Sequence, residues 1–298
     1  MKECFVPKSF SADRQVLIAT IDDIVEEYQN QGYRLTTRQV YYQLVARGHI
    51  ENTLQSYKRI AALINDAKLA GMLDWDALED RTREFITRNH WRSPSSIIRA
   101  CAEQYHEDLW VGQDMRVFVI IEKEALVGVL QSTCHRMDVP LLAARGYPSG
   151  SVLYEFVQEH ITPCLEDGQD IKILHLGDHD PSGIDMTRDL VERLHLFAGT
   201  RIDLQRIALN MPQVEELRPP ENPAKTTDSR YKQYIKAYGM SSWELDALQP
   251  SYLNRLVQRE LDAVIDTDVW EQRKADIREK RQAIEEAADK FDEDYREQ

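Results

Sequence analysis

Apolar residues recur at helical spacing from near the start of the chain. Leu17, Ile21, Ile24, Val25 and Tyr28 follow a Ser11 N-cap until Gln31-Gly32 stops the pattern. Thr36-Thr37 then caps a short helix with Val40, Tyr41, Leu44 and Val45 on its apolar side, ending at Gly48. Asn52 or Thr53 opens a third helix to about residue 70. Three short helices before Gly71-Met72-Leu73-Asp74-Trp75 predict a winged-helix unit, with Lys58 and Arg59 of the third helix as DNA-groove readers. A generic three-helix packing unit fits the same pattern.

From residue 116 the rhythm changes. Residues 116–121, 140–144, 171–176 and 202–209 read as strands; residues 125–135, a segment from about 149–151, and 184–194 read as helices. Such alternation predicts an α/β fold with a parallel sheet. The change falls between residues 91 and 113, dividing the chain into 1–110 and 111–298. Pro212, Pro219, Pro220 and Pro223 mark 210–240 as a surface excursion without regular structure. After Pro250 the chain predicts helix to the end, and 270–298 mixes both charges densely, as a solvated helix or partner arm does.

Charge and cysteine usage narrow the classes. A chain of 298 residues suggests two cores. A formal net charge of -14 argues against a general nucleic-acid binder, because phosphate contacts need clustered Lys and Arg. Residues 31–70 run the other way, holding Arg34, Arg38, Arg47, Lys58, Arg59 and Lys68 against Glu51 and Asp66. Cys4, Cys101, Cys134 and Cys164 lie far apart, so neither a disulfide framework nor a zinc site is indicated and a reducing cytosol fits. The most apolar run, 117–130, is interrupted by Glu122-Lys123-Glu124, and the amino end has no leader pattern. The expected location is the cytoplasm, associated with the nucleoid and away from membrane.

The candidate chemistry is acidic. The apolar strand 171–176 runs through Gly177 into Asp178-His179-Asp180-Pro181-Ser182-Gly183, and strand ends are where α/β sheets place their sites. Two crowded carboxylates repel, and a hard divalent cation such as Mg²⁺, or Mn²⁺, relieves the repulsion while bridging to phosphate. Asp-x-Asp alone is a weak signal, more often explained by helix capping. A second strand, 117–121, also ends in acid at Glu122, which would serve as a third ligand or as a general acid and base. Glu124 reads as a helix-dipole partner, and His179 as pointing away from a metal.

Glu122-Lys123-Glu124-Ala125, Gly146-Tyr147-Pro148 and Asp178-His-Asp180-Pro-Ser-Gly183-Ile184 resemble the Toprim domain of type IIB topoisomerase (topoisomerase VI) A subunits, a family that includes the transesterase of meiotic double-strand breaks. Residues 243–248 resemble a downstream segment of that family whose role the sequence does not disclose. Arg38-Gln39-Val40-Tyr41-Tyr42 is similar to the family's winged-helix active-site motif, with Gln39 where an acidic residue is usual. The resemblance implies a winged-helix domain (1–110) and a Toprim domain with a helical C-terminal extension (111–298).

By helical phase Tyr41 packs in the core with Val45, whereas Tyr42 shares a side with Arg38 and is the one able to reach DNA. The resemblance makes Tyr42 the nucleophile, with Arg38 steadying phenolate and phosphate. Metal would sit at Glu122, Asp178 and Asp180. A 5′-phosphotyrosyl DNA break would form across a homodimer of a short, Mini-A-like chain, with a separate ATPase as an optional partner. Two other readings stay open: a Toprim nuclease in which water attacks, and a non-catalytic DNA-binding subunit.

Overall fold

A computed structural model of the chain describes residues 2–79 and 90–296. The expected helices at the amino end are α1 (Ala12–Asn30), α2 (Thr37–Ala46) and α3 (Leu54–Leu69). Ile18, Ile21, Ile24, Val25 and Tyr28 of α1 pack with Val40 and Leu44 of α2 and with Ile60, Leu63 and Ile64 of α3 in one core. At the start of α2, Thr36 Oγ1 accepts from the Gln39 N–H at 3.3 Å while Gln39 Oε1 accepts from the Thr36 N–H at 2.8 Å. This capping box is worth about 0.5–2 kcal/mol. No β-hairpin wing is seen among the described residues, where single bridges join Cys4 to Ala70 and Leu35 to Leu78. Part of the segment expected to follow the third helix, residues 80–89, lies outside the described residues.

The chain continues through α4 (Pro94–Gln104), β1 (Met115–Ile121), α5 (Val127–Arg136) and β2 (Leu141–Ala143). Next come α6 (Gly150–Phe156), a π-helical stretch (Val157–Ile161) and α7 (Thr162–Glu166), then β3 (Asp170–Leu176), α8 (Pro181–Ala198) and β4 (Asp203–Ala208). The four strands form one parallel sheet in the order β2-β1-β3-β4. Alternation along β1 feeds two cores: Val117, Val119 and Ile121 pack with Val129 and Leu130 of α5, while Phe118 and Ile120 pack with Met186, Leu190 and Leu194 of α8. From β1 the chain crosses to β2 on one side, and from β3 it crosses to β4 on the other. The strand order therefore reverses between β1 and β3, and the crevice at their carboxyl ends is the place where such sheets bind ligands.

Residues 210–240 differ from the expected irregular excursion. They hold α9 (Met211–Leu217), β5 (Glu221–Pro223) and α10 (Tyr231–Tyr238), and β5 pairs antiparallel with β6 (Ser241–Trp243). The prolines misled because they occupy tolerated places: Pro212 in the first turn of α9 and Pro223 at the end of a two-stranded pair. The helical carboxyl end is broken once, into α11 (Pro250–Asp262) and α12 (Thr267–Arg296). Asp266 Oδ1 starts α12 by accepting from the Asp268 and Val269 N–H groups at 2.9 and 3.2 Å.

The sequence pattern did not reveal α4, which packs along α12 through Arg99, 2.8 Å from both Asp289 and Asp292. Leu109 and Trp110 likewise join the core on the α5 side of the sheet. Packing thus places residues 94–110 with the second unit, ahead of the border expected at 110. Among the described residues no helix is long and apolar enough to cross a membrane.

Candidate active site

β1 and β3 are neighbours in register, Ile121 opposite Leu176, and each runs on into acid. Glu122 accepts the Asp178 N–H on Oε2 at 2.9 Å, so the two strand ends are tied directly. Asp180 caps α8: its Oδ1 accepts from the Gly183 N–H at 2.7 Å and from Ser182 Oγ at 2.9 Å, with Pro181 as the first helical residue. Gly183 has to be glycine on steric grounds, since a Cβ there would stand 2.2 Å from the Asp178 carbonyl oxygen. At Gly177 a Cβ would meet Glu122 Oε2 at 3.0 Å.

Asp178 is not a free ligand. It is 7% exposed, its Oδ1 accepts the Leu245 N–H at 2.7 Å, and its Oδ2 lies 3.1 Å from Lys123 Nζ. Lys123 also reaches Glu244 Oε2 at 2.7 Å and Asp246 Oδ1 at 2.8 Å. From α2, Arg38 pairs with Glu244 Oε2 at 2.7 Å and Asp246 Oδ2 at 2.9 Å. The 243–248 segment is therefore a clasp. Trp243 exchanges backbone hydrogen bonds with His179 at 2.8 and 2.9 Å, and the acids at 244 and 246 join α2 to the strand ends. Gln39, where the resembled family has an acid, is used in the α2 cap, and Arg38 finds its carboxylates on this clasp instead.

Both tyrosines are buried, which differs from the exposure expected for Tyr42. Tyr41 donates its hydroxyl hydrogen bond to Asn52 Oδ1 at 2.9 Å, as a core tyrosine does. Tyr42 is 4% exposed and faces Glu244, Asp246 and Arg38. Burial first, and then the two carboxylates, push its phenol well above the usual range, and Arg38 only partly offsets them. Helical phase placed Tyr42 beside Arg38 correctly, but it had no access to the clasp that covers this side.

Behind the acidic loop stands Arg206 of β4. Its guanidinium donates to the carbonyls of Gly177, Asp178 and Gly183 at 2.8, 2.6 and 2.9 Å and to Thr187 Oγ1 at 2.8 Å. Burial draws its pKa down to about 10, which leaves it charged at neutral pH. His175 is fully buried beside Thr187, with its pKa lowered to about 3 by burial and then by Arg206. His179 turns into an aromatic nest, 2.8 Å from the Tyr234 hydroxyl. Sequence reasoning missed Lys123, Arg206, Glu244 and Asp246. An arginine inside a strand and a lysine inside the most apolar run were the signals present.

Burial pushes both Glu122 and Asp178 upward, with Asp180 adding to the shift of Glu122, and Glu122 and Asp246 to that of Asp178. Five carboxyl groups (Glu122, Asp178, Asp180, Glu244, Asp246) face three cations (Lys123, Arg38, Arg206), so acid outnumbers base at this edge, and the upward shifts of Glu122, Asp178 and Asp246 reflect burial together with that crowding. Among the described residues no three His, Cys, Asp or Glu side chains form a ready metal cage. Glu122 Oε1 and Asp180 Oδ2 accept no hydrogen bond from a described residue. Such a donor set fits Mg²⁺ or Mn²⁺, which bind through one or two carboxylates and complete the shell with water and substrate phosphate.

Lys58 and Arg59 are exposed on α3. Arg59 lines a separate cavity of about 610 Å³ with His49, Arg14 and Asp66 and takes no part in the acidic edge. No protein-family model matches this chain, and a search of curated proteins finds no match either.

Proposed function

We propose that this protein hydrolyses phosphodiester bonds of DNA at the acidic carboxyl edge of its parallel sheet, as a Toprim-like nuclease. The observation that carries this reading is the meeting of Glu122 with Asp178 and Asp180 at the reversal of strand order, tied by the 2.9 Å bond from the Asp178 N–H to Glu122. Glu122 and Asp180 would hold Mg²⁺ or Mn²⁺, which when bound supplies charge neutralisation at the phosphoryl oxygens. Lys123 and the Leu245 N–H fix Asp178, and Arg206 fixes the loop carbonyls, so the two ligand-bearing turns are preorganised. Water adds to phosphorus, the ester bond breaks, and a phosphate monoester and a sugar hydroxyl leave.

Tyrosine transesterification by Tyr42 is the second reading, favoured by one contact. The Tyr42 phenol faces Glu244, a carboxylate that Lys123 and Arg38 hold ionised, down at about 2 against the effect of burial, so Glu244 can orient the phenol as a hydrogen-bond acceptor but is too weak a base to take its proton. Burial of Tyr42 against two carboxylates opposes phenolate, which is why water is preferred as nucleophile. The homodimer and ATPase subunit implied by the family resemblance belong with the transesterification reading.

Supercoiled plasmid incubated with Mg²⁺ or Mn²⁺, stopped in detergent and run with and without protease, separates the two. The expected result is free DNA ends, kept in Tyr42→Phe and lost in Glu122→Gln and Asp180→Ala. Protein-linked 5′ ends that disappear in Tyr42→Phe would overturn hydrolysis in favour of transesterification. No metal-dependent cleavage at all would remove both.

A further inference from the structure

Tyr41, Tyr42 and Tyr57 meet edge to face, with ring centroids 5.2 and 5.4 Å apart, and wall a cavity of about 250 Å³. Asn52 and Asn222 supply its polar lining: Asn52 Nδ2 donates to Asn222 Oδ1 at 2.7 Å, and the amide nitrogen of Asn222 has no partner among the described residues. Leu54, 71% exposed, adds an apolar wall open to solvent. Arg38 and Glu244 also line the cavity, and through them it is coupled to the acidic edge: Arg38 to Glu244, Glu244 to Lys123 and Lys123 to Asp178 are ion pairs of 2.7, 2.7 and 3.1 Å.

The volume is below the about 300–1,000 Å³ of drug-sized pockets and leaves room for one small ring system. Of the three phenols Tyr57 is the partly exposed one and is the ring available to another π system, while Tyr41 and Tyr42 line the cavity from the core. A purely apolar guest would leave the Asn222 side-chain nitrogen without a partner, whereas a heteroaromatic ring answers both linings. Arg38 is the positive charge in the lining itself, available to a phosphate backbone.

We propose that this cavity receives one unpaired nucleobase of the strand being cut, seating the neighbouring phosphodiester at the acidic edge. The inference rests on the phosphodiester-cleaving reading and narrows its substrate to single-stranded or locally unpaired nucleic acid, because a base stacked within a duplex cannot enter a pocket of this kind without flipping out.

The test uses the full chain and fluorescence anisotropy with a short single-stranded DNA, the same strand in RNA, a matched duplex, and a strand of equal length made of abasic sites. The base-bearing single strand is expected to bind at least about tenfold more tightly than the abasic strand. Tyr57→Ala and Leu54→Glu each reduce that advantage about five- to a hundredfold, while Tyr57→Phe keeps it. Leu54→Glu guards against misfolding, since its exposed side chain leaves the core intact, and its circular dichroism melt should match wild type. The DNA and RNA arms decide which sugar is preferred. Equal affinity for base-bearing and abasic strands, or full affinity in both Tyr57→Ala and Leu54→Glu, overturns the inference while plasmid cleavage keeps the hydrolytic reading alive. Base-dependent binding without metal-dependent cleavage does the reverse. No binding to any strand overturns the inference outright.

Discussion

Lys123 Nζ stands 3.1 Å from Asp178 Oδ2, so the residue directly after the β1 carboxylate supplies the counter-charge for the first β3 carboxylate. The same ammonium holds the 243–248 clasp and is only 18% exposed. Replacing it leaves Asp178 and Asp246 buried without that ammonium. Lys123→Met is expected to lower stability by about 3–5 kcal/mol, read as a shift of the urea midpoint at unchanged slope. A loss under about 1 kcal/mol would mean that the network is more solvated than its burial indicates.

Gly183→Ala sets a Cβ against the Asp178 carbonyl at 2.2 Å, a contact with backbone that no side-chain adjustment relieves. The expected cost is about 3 kcal/mol or more, read by thermal melt. Gly150→Ala is the matched control: a Cβ there meets nothing within 4 Å at the start of α6, so its melt should stay at or slightly above wild type.

Arg206→Met removes the donor shared by the Gly177, Asp178 and Gly183 carbonyls. Stability should fall by about 2–4 kcal/mol, since buried acceptors lose their partner. Plasmid cleavage should fall further than the folded fraction accounts for, because the loop bearing Asp178 and Asp180 loosens. Cleavage that tracks the folded fraction alone would limit Arg206 to a purely structural role.

His175 is neutral in the fold, its pKa drawn down to about 3 from an ordinary value near 6.5. A group depressed in this way contributes stability above its unfolded pKa and loses it as pH falls toward the folded value. His175 therefore contributes a decline in stability below about pH 6.5, because the unfolded chain takes up a proton that the folded chain refuses, and the raised carboxyls of Glu122 and Asp178 oppose it over the same range. His179, lowered to about 4, acts with the same sign, so a His175→Gln variant should flatten this acid limb only in part. Urea midpoints between pH 7 and 4.5 provide the measurement, and an unchanged slope in the variant would rule out His175 as the source.

Mg²⁺ or Mn²⁺ binding only to the folded chain should raise its melting temperature with concentration, as ligand linkage requires. The rise is expected to vanish in Glu122→Gln and Asp180→Asn. Retention of the full shift in both variants would place the bound cation elsewhere.

The periodicity of the chain determined much of the architecture. Thr36, Val40 and Leu44 specify α2 by capping and helical spacing, and the runs ending at Ile121 and Leu176 specify buried parallel strands, because these depend on residues near in sequence. Glu122, Asp178 and Asp180 were legible for the same reason: each directly follows, or nearly follows, a strand that announces its own end. Tertiary structure alone decided what surrounds them. Glu244 and Asp246 lie far from Arg38 and Lys123 in sequence, and only the docking of the 243–248 segment brings these charges within 3 Å. That docking buries Tyr42, occupies Asp178 and leaves Glu122 and Asp180 with unengaged oxygens. None of this can be read from a local pattern, since a side chain's charge environment is set by whatever segment the fold packs against it.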